Sequence, residues 1–266
     1  MILCSSGVFF ERERTDAESI LDYGPQLPVD GLEVLVTGRM VPILEETTEH
    51  LRSSGLTFPV IHAPKPVGAR LPADEAIHEL KATCRFARAI GSSLVVLHLW
   101  DLPDSDRDLP GRLEAATLAA DIAADVGIEI AIETIPCTYA TPLANIECIL
   151  EHEPRARVTL DTEFLAYHDE VESALDVDWL WRDGIVRHIH LKDYDGSMFH
   201  DDGKRRYLPA GDGAIAFGTL FDRLNERGFT GSVSLECVPK NGRTIDIAAT
   251  ARLLGRISNT PWAFAK

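Results

Sequence analysis

Eight short runs of β-forming residues, separated by longer polar or helix-periodic stretches, restrict the fold of this chain more than any other feature. They read ILCSSGV, GLEVLVT, FPVIHA, SLVVLHL, IEIAIET, RVTLDT, VRHIHLKD and GSVSLEC. All are rich in Val, Ile and Leu, as strands covered on both faces are. Helical periodicity is clearest at 73–90, 111–126, 142–152, 170–181, 215–227 and 244–257, and weakest at 15–23. Gly91 and Gly127 stand just past two of these stretches, where a left-handed residue ends a helix. Thr141 followed by Pro142 is an N-cap with a first-turn proline. Alternation of strand and helix implies parallel strands and right-handed crossovers. Eight repeats in 266 residues match the size of one closed α/β barrel. The expected fold is therefore a single (β/α)8 TIM barrel, with 1–266 as one domain. No Gly/Ser- or Pro-rich linker divides the chain. No GxGxxG or GxxxxGK[ST] segment follows a strand, which argues against a nucleotide-binding open sheet.

The polar residues fall where such a barrel would gather them. His62 ends the third run, His98 the fourth, Glu133 the fifth, Asp161 the sixth, His190 the seventh and Glu236 the eighth. In a parallel barrel these strand ends share one mouth, the face on which barrel enzymes build their sites. One strand-end carboxylate alone is more often a cap or an ion-pair partner. Three around one mouth repel each other unless a cation lies among them. Three carboxylates with one imidazole form an oxygen-rich donor set without sulfur. It suits Mn2+ best, and Mg2+, Co2+ or Zn2+ are also compatible. In HIHLKD, His188, His190 and Lys192 share one face of the strand while Ile189 and Leu191 face the helices. His190 lies nearer the exit and is the expected ligand; His188, one layer deeper, orients a neighbour. Asp193 either supports the site or caps a turn.

The segment YDGSMFHDDGKRRYLPAGDG (194–213) is longer than most connections in compact domains, and such loops often cover active sites. A solvated surface loop is the equal alternative. Its His200, Lys204, Arg205, Arg206 and Tyr207 are groups that hold a carboxylate, a phosphate or sugar hydroxyls. Lys65 in HAPKP and Trp100 after His98 are further rim candidates, Trp100 either stacking on a sugar face or packing the adjoining loop.

Charge and composition narrow the partners. The formal net charge is −16, from 42 acidic and 26 basic residues, of which six are lysines. Such a surface repels nucleic acid and anionic membranes. No apolar stretch is long enough to span a bilayer, and the N-terminal apolar run is too short for a signal peptide. The five cysteines are scattered without a CxxC pair and read as free thiols of a cytoplasmic protein. Oligomeric state is left open, a homodimer being the commonest soluble assembly.

The segments VIHAP, VVLHLW, AIETIP, TLDTEF, HIHLKD and SLEC, in this order over residues 32–240, resemble the xylose-isomerase-like barrel superfamily. That superfamily includes sugar-phosphate isomerases and epimerases, hydroxypyruvate isomerase, inosose dehydratase and the type IV apurinic endonucleases. The resemblance implies that Glu133, Asp161, His190 and Glu236 form the metal site of the ketose epimerase branch. It further implies that His62 and His98 contact substrate, as in the sugar enzymes, or bind an additional zinc, as in the nucleases. Two departures weaken the nuclease branch. Phe164 stands where many relatives have a histidine, and Arg205–Ala210, before Gly211-Asp212-Gly213, contain neither the aspartate nor the histidine of a three-metal site. The expected activity is isomerisation or epimerisation of a small hydroxy-ketone (a sugar, sugar phosphate or sugar acid) through an enediolate. Glu133 and Glu236 would be the proton-transfer pair, and His62, His98, Lys65, Trp100, His188, Lys192, Arg205 and Arg206 the substrate contacts. The alternative is a metal-dependent keto-polyol dehydratase of the inosose or dehydroshikimate type. An apurinic endonuclease or a non-catalytic sugar-binding barrel ranks lower.

Overall fold

The computed structural model describes residues 1–10, 14–100, 105–241 and 244–258. Eight parallel strands close on themselves in sequence order: β1 Ile2–Ser5, β2 Gly31–Leu35, β3 Val60–His62, β4 Leu94–Leu97, β5 Glu129–Glu133, β6 Arg157–Asp161, β7 Val186–Leu191 and β8 Ser232–Leu235. β8 pairs with β1, so no edge is left open. The expected (β/α)8 barrel is the observed architecture.

Strand parity explains how one chain fills both sides of this wall. Ile61, Val95, Leu97, Ile130, Ile132, Val158, Leu160, Ile189, Leu191, Val233 and Leu235 join the large core between strands and helices. The alternate residues point into the barrel. Leu3, Val60, Leu94, Val96 and Ala131 form a small separate apolar plug there. One pleat further along, the inward series turns polar, with Glu33, His62, Glu133, Asp161, His188 and His190 all buried. An apolar plug under a polar mouth leaves the titratable groups beyond the reach of bulk water from below.

The helices keep this wall in register. Asp16–Tyr23 begins with a capping box: Glu18 N–H donates to Thr15 Oγ1 at 3.2 Å and Thr15 N–H donates to Glu18 Oε2 at 2.8 Å. Asp74–Ala89, Leu109–Ala124, Pro142–His152 and Phe217–Glu226 agree with the sequence pattern to within a few residues. Gly91 (φ 86°) and Gly127 (φ 71°) adopt the left-handed backbone expected after two of them.

Other segments differ from the pattern. The 170–181 stretch divides into Val171–Asp176 and Asp178–Trp181. Residues 244–245 belong to a two-stranded hairpin with 240–241, and the last helix starts at Ile247. Three α-helices of the described residues escape the periodicity, one of them the four-residue Val67–Arg70. Leu44–Arg52 buries only Leu44, Thr47 and Leu51, and Thr162–Tyr167 is six residues long. All three carry too few apolar positions to show a repeat. The five cysteines are free thiols. Among the described residues, no helix is long and apolar enough to cross a membrane.

Candidate active site

Four of the strand-end residues meet at one point. Ligand-type atoms of Glu133, Asp161, His190 and Glu236 lie within 4.8 Å of one another. His190 Nδ1 is 3.1 Å from Glu133 Oε1, 3.5 Å from Glu236 Oε2 and 4.0 Å from Asp161 Oδ2. The local fold makes this convergence unavoidable. Asp161 faces His190 in register across β6 and β7, and His190 faces Ser234 across β7 and β8, two residues before Glu236. Asp161 is also the N-cap of Thr162–Tyr167: its Oδ1 accepts the Glu163 and Phe164 N–H groups at 2.9 and 3.1 Å. That locks the carboxylate and turns Oδ2 to the cluster. Asp161 Oδ2 is buried and is met by a cation. Its close neighbour is Lys192 Nζ at 2.5 Å, which also lies 2.7 Å from Glu236 Oε2.

The rest of the site buttresses these groups. His62 and His98 both present Nε2 to Glu133 Oε2, at 3.1 and 2.7 Å, and His62 Nδ1 lies 2.7 Å from the Ala63 carbonyl. Both nitrogens of His62 are thus used inside the protein. His188 sits one layer deeper with its Nδ1 2.6 Å from Ser232 Oγ, its ring edge-on to His190. Lys192 lies 4.5 Å from the centroid of Phe164. A cation–π contact of this kind lowers the cost of burying the ammonium.

Glu33 of β2 was not among the sequence candidates. It is fully buried, with Oε1 3.1 Å from His190 Nε2 and Oε2 3.4 Å from His188 Nε2. A signal existed: a carboxylate between Leu32 and Val34 inside an apolar run has either an inward partner or no place there. It lies in mid-strand, away from the strand-end positions that mark the mouth.

Electrostatics record the crowding of negative charge. Burial, reinforced by Glu133, Glu236 and Glu163 against the pull of Lys192, pushes Asp161 up to about 7. Burial also disfavours charge on Glu236, but His190 and Lys192 bring it down to about 2. His98 and His190 likewise hold Glu133 well below the usual carboxylate range despite its burial. For His190, burial works against the charged ring, yet Glu236, Glu33 and Glu133 raise it well above an ordinary histidine. The site concentrates carboxylates and seeks cations.

The remaining candidates separate by location. Lys65 and Lys192 line a cavity of about 710 Å³ that opens over the mouth, together with Glu236, Tyr207, Asp212 and Lys240. Trp100 is fully buried and donates from Nε1 to the Ile135 carbonyl at 3.3 Å, so it packs the core beneath the rim. Arg205 is bound by Glu163 at 2.7 and 2.5 Å, and Arg206 by Asp195 at 2.7 and 2.5 Å. Neither guanidinium lines the cavity. His200 and Lys204 lie on the exposed part of the same loop, with Lys204 paired to Asp202. Asp193 organises the loop's base, accepting N–H groups of Tyr194, Gly211, Gly213 and Ile215 at 2.8 to 3.0 Å.

A closed parallel barrel with a carboxylate–histidine mouth defines a class, and sequence comparison agrees with it. Residues 25–254 match the family model for the xylose isomerase-like TIM barrel, and the chain belongs to that family. No curated protein sequence matches it. Among solved structures it is similar to D-allulose 3-epimerase from Methylomonas sp., at 16% identity over 97% of this chain and 96% of the other, with a TM-score of 0.69. It is also similar to the 3-keto-D-glucoside 4-epimerase YcjR from E. coli, at 16% identity over 96% and 98%, TM-score 0.69. A third is the probable 3-DHS dehydratase AsbF from Bacillus anthracis, at 15% identity over 97% and 98%, TM-score 0.72. At such identities the likeness establishes the shared fold.

Proposed function

We propose that the protein is a divalent-metal-dependent isomerase or epimerase of a small hydroxy-ketone, a sugar or sugar derivative. The reading rests chiefly on one observation: the donor atoms of Glu133, Asp161, His190 and Glu236 lie within 4.8 Å of one another, and Glu236 lines an open cavity. The solved epimerases of the same fold support it by analogy. The donor set fits a metal. Asp161 Oδ2 is buried, and the group that meets it, the Lys192 ammonium, is itself a cation that also stands against Glu236. Three carboxylate oxygens with one imidazole nitrogen suit Mn2+, Mg2+ or Co2+ best.

An ion held by Glu133, Asp161, His190 and Glu236 would supply Lewis acidity toward a substrate carbonyl. Glu236, on the cavity wall, and Glu133, held from behind by His62 and His98, are the proton-transfer pair. One takes the proton α to the carbonyl; the other, protonated from solvent, delivers a proton to the opposite face or to the neighbouring carbon. Lys192, beside Glu236, is within reach of a substrate oxygen in the same cavity.

The test is solvent-deuterium incorporation into a panel of ketoses by the Mn2+-loaded protein. Glu236→Gln and Glu133→Gln should each slow exchange by roughly 10²- to 10⁴-fold. Exchange at the wild-type rate in both variants would overturn the assignment. New enone or diketone absorbance without an isomeric product would identify the dehydratase reaction instead.

A further inference from the structure

Lysine is scarce in this chain, with six in 266 residues, yet Lys65, Lys192 and Lys240 line one cavity. Lys192 is committed to Asp161 and Glu236. The ammonium groups of Lys65, in the loop after β3, and Lys240, in the hairpin after β8, make no ion pair or hydrogen bond among the described residues. They stand on either side of β1 and β2, whose ends and following segments supply Ser5, Gly7, Val8 and Leu35 to the cavity wall. The four-donor cluster occupies β5 to β8. A substrate held at that cluster therefore extends its far end toward β1 and β2, between two uncommitted ammonium groups.

Among the described residues, the charges facing this region are few. Glu236 is engaged by Lys192, and Asp212 is the other carboxylate on the cavity wall. On a surface of net charge −16, exposed lysines normally find carboxylates, and an anionic ligand is repelled unless local cations offset the field. Tyr207 adds a hydroxyl to the same wall. The arginines of the 194–213 loop do not compete for this role, because Arg205 and Arg206 are held by Glu163 and Asp195.

We propose that the substrate carries a terminal anionic group, a carboxylate or a phosphate, and that Lys65 and Lys240 bind it on the β1–β2 side of the cavity. This deepens the hydroxy-ketone reading above and rests on it for the substrate's other end. The matched probes are D-fructose, D-fructuronate and D-fructose 6-phosphate, which differ at the terminal carbon in carrying a hydroxymethyl, a carboxylate or a phosphate ester. Their dissociation constants are measured by calorimetry on the Mn2+-loaded protein at fixed ionic strength. At least one anionic ligand should bind roughly 10- to 100-fold more tightly than D-fructose, the range of a charge-assisted hydrogen bond. Lys65→Gln or Lys240→Gln should erase most of that preference, while Lys81→Gln, an exposed helix position outside the cavity, should keep it. Equal binding of all three ligands overturns the proposal, as does failure of both anions to bind, or variants that weaken all three alike. Deuterium exchange on the same trio separates the two ideas. Exchange without anionic preference removes the anion subsite alone; anion binding without exchange in any ligand removes the isomerase reading alone.

Discussion

Glu33 Oε1 lies 3.1 Å from Nε2 of His190, on the opposite edge of the ring from the Glu133, Asp161 and Glu236 carboxylates that face Nδ1. For Nδ1 to bind a cation, the ring proton must sit on Nε2, and Glu33 is the acceptor that keeps it there. Glu33→Gln preserves shape and removes the charge. The expected outcome is a Mn2+ affinity lower by about 10- to 100-fold, read by competition with a chelating dye. Undiminished affinity would show that the carboxylate does not orient the ligand.

Metal binding should be steeply pH-dependent. Burial raises Asp161 to about 7, and the carboxylates around His190 raise it well above an ordinary histidine, so below pH 7 both hold protons that a cation must displace. A carboxyl raised in the folded state favours folding below its unfolded pKa and loses that contribution as pH rises to 7. The metal-free protein is therefore relatively penalised above pH 7, where the metal relieves the repulsion. The rise in Tm on adding Mn2+ should be larger at pH 8 than at pH 6. Calorimetry in buffers of different ionisation enthalpy should register proton release. A Tm increment independent of pH would contradict this account.

Arg205 anchors the 194–213 loop by its paired hydrogen bonds to Glu163, a carboxylate that is 2% exposed. Removing the guanidinium strands that charge beside Asp161. Arg205→Ala should cost about 2 kcal/mol, lowering Tm by roughly 4–8 °C for a chain of this size. Proteolytic cleavage within the loop should accelerate at the same time. Unchanged melting and cleavage would mean that the pair is solvated in solution.

Trp100 offers the converse case. Its indole is sealed in the core with Nε1 bonded to the Ile135 carbonyl, so Trp100→Phe should cost stability, about 1 kcal/mol, and leave KM for a turned-over ketose unaltered. A several-fold rise in KM with unchanged Tm would restore it to the substrate-contacting rim.

Much of the site is legible in the sequence. A parallel barrel turns strand order into position, so Glu133, Asp161, His190 and Glu236 at consecutive strand ends had to share a mouth. Parity along HIHLKD likewise foretold that His190 and His188 occupy successive layers, because side chains alternate across a strand whatever surrounds it. The helices Leu44–Arg52 and Thr162–Tyr167 were not legible, since short elements with few apolar residues carry no readable period.

What the sequence by itself determined is the barrel and the residue types at its mouth: hydrophobic period and strand parity are local properties that survive without knowledge of neighbours. Only the tertiary structure decided which partner each group meets. Closure of the barrel brings Glu33 of β2 against His190 of β7, 157 residues away in the chain. It turns His62 and His98 onto Glu133, gives Arg205 to Glu163, and leaves Lys65 and Lys240 facing an open cavity. Such pairings depend on which strands become neighbours across a closed wall and on how long side chains share a crowded interior. No local pattern encodes either.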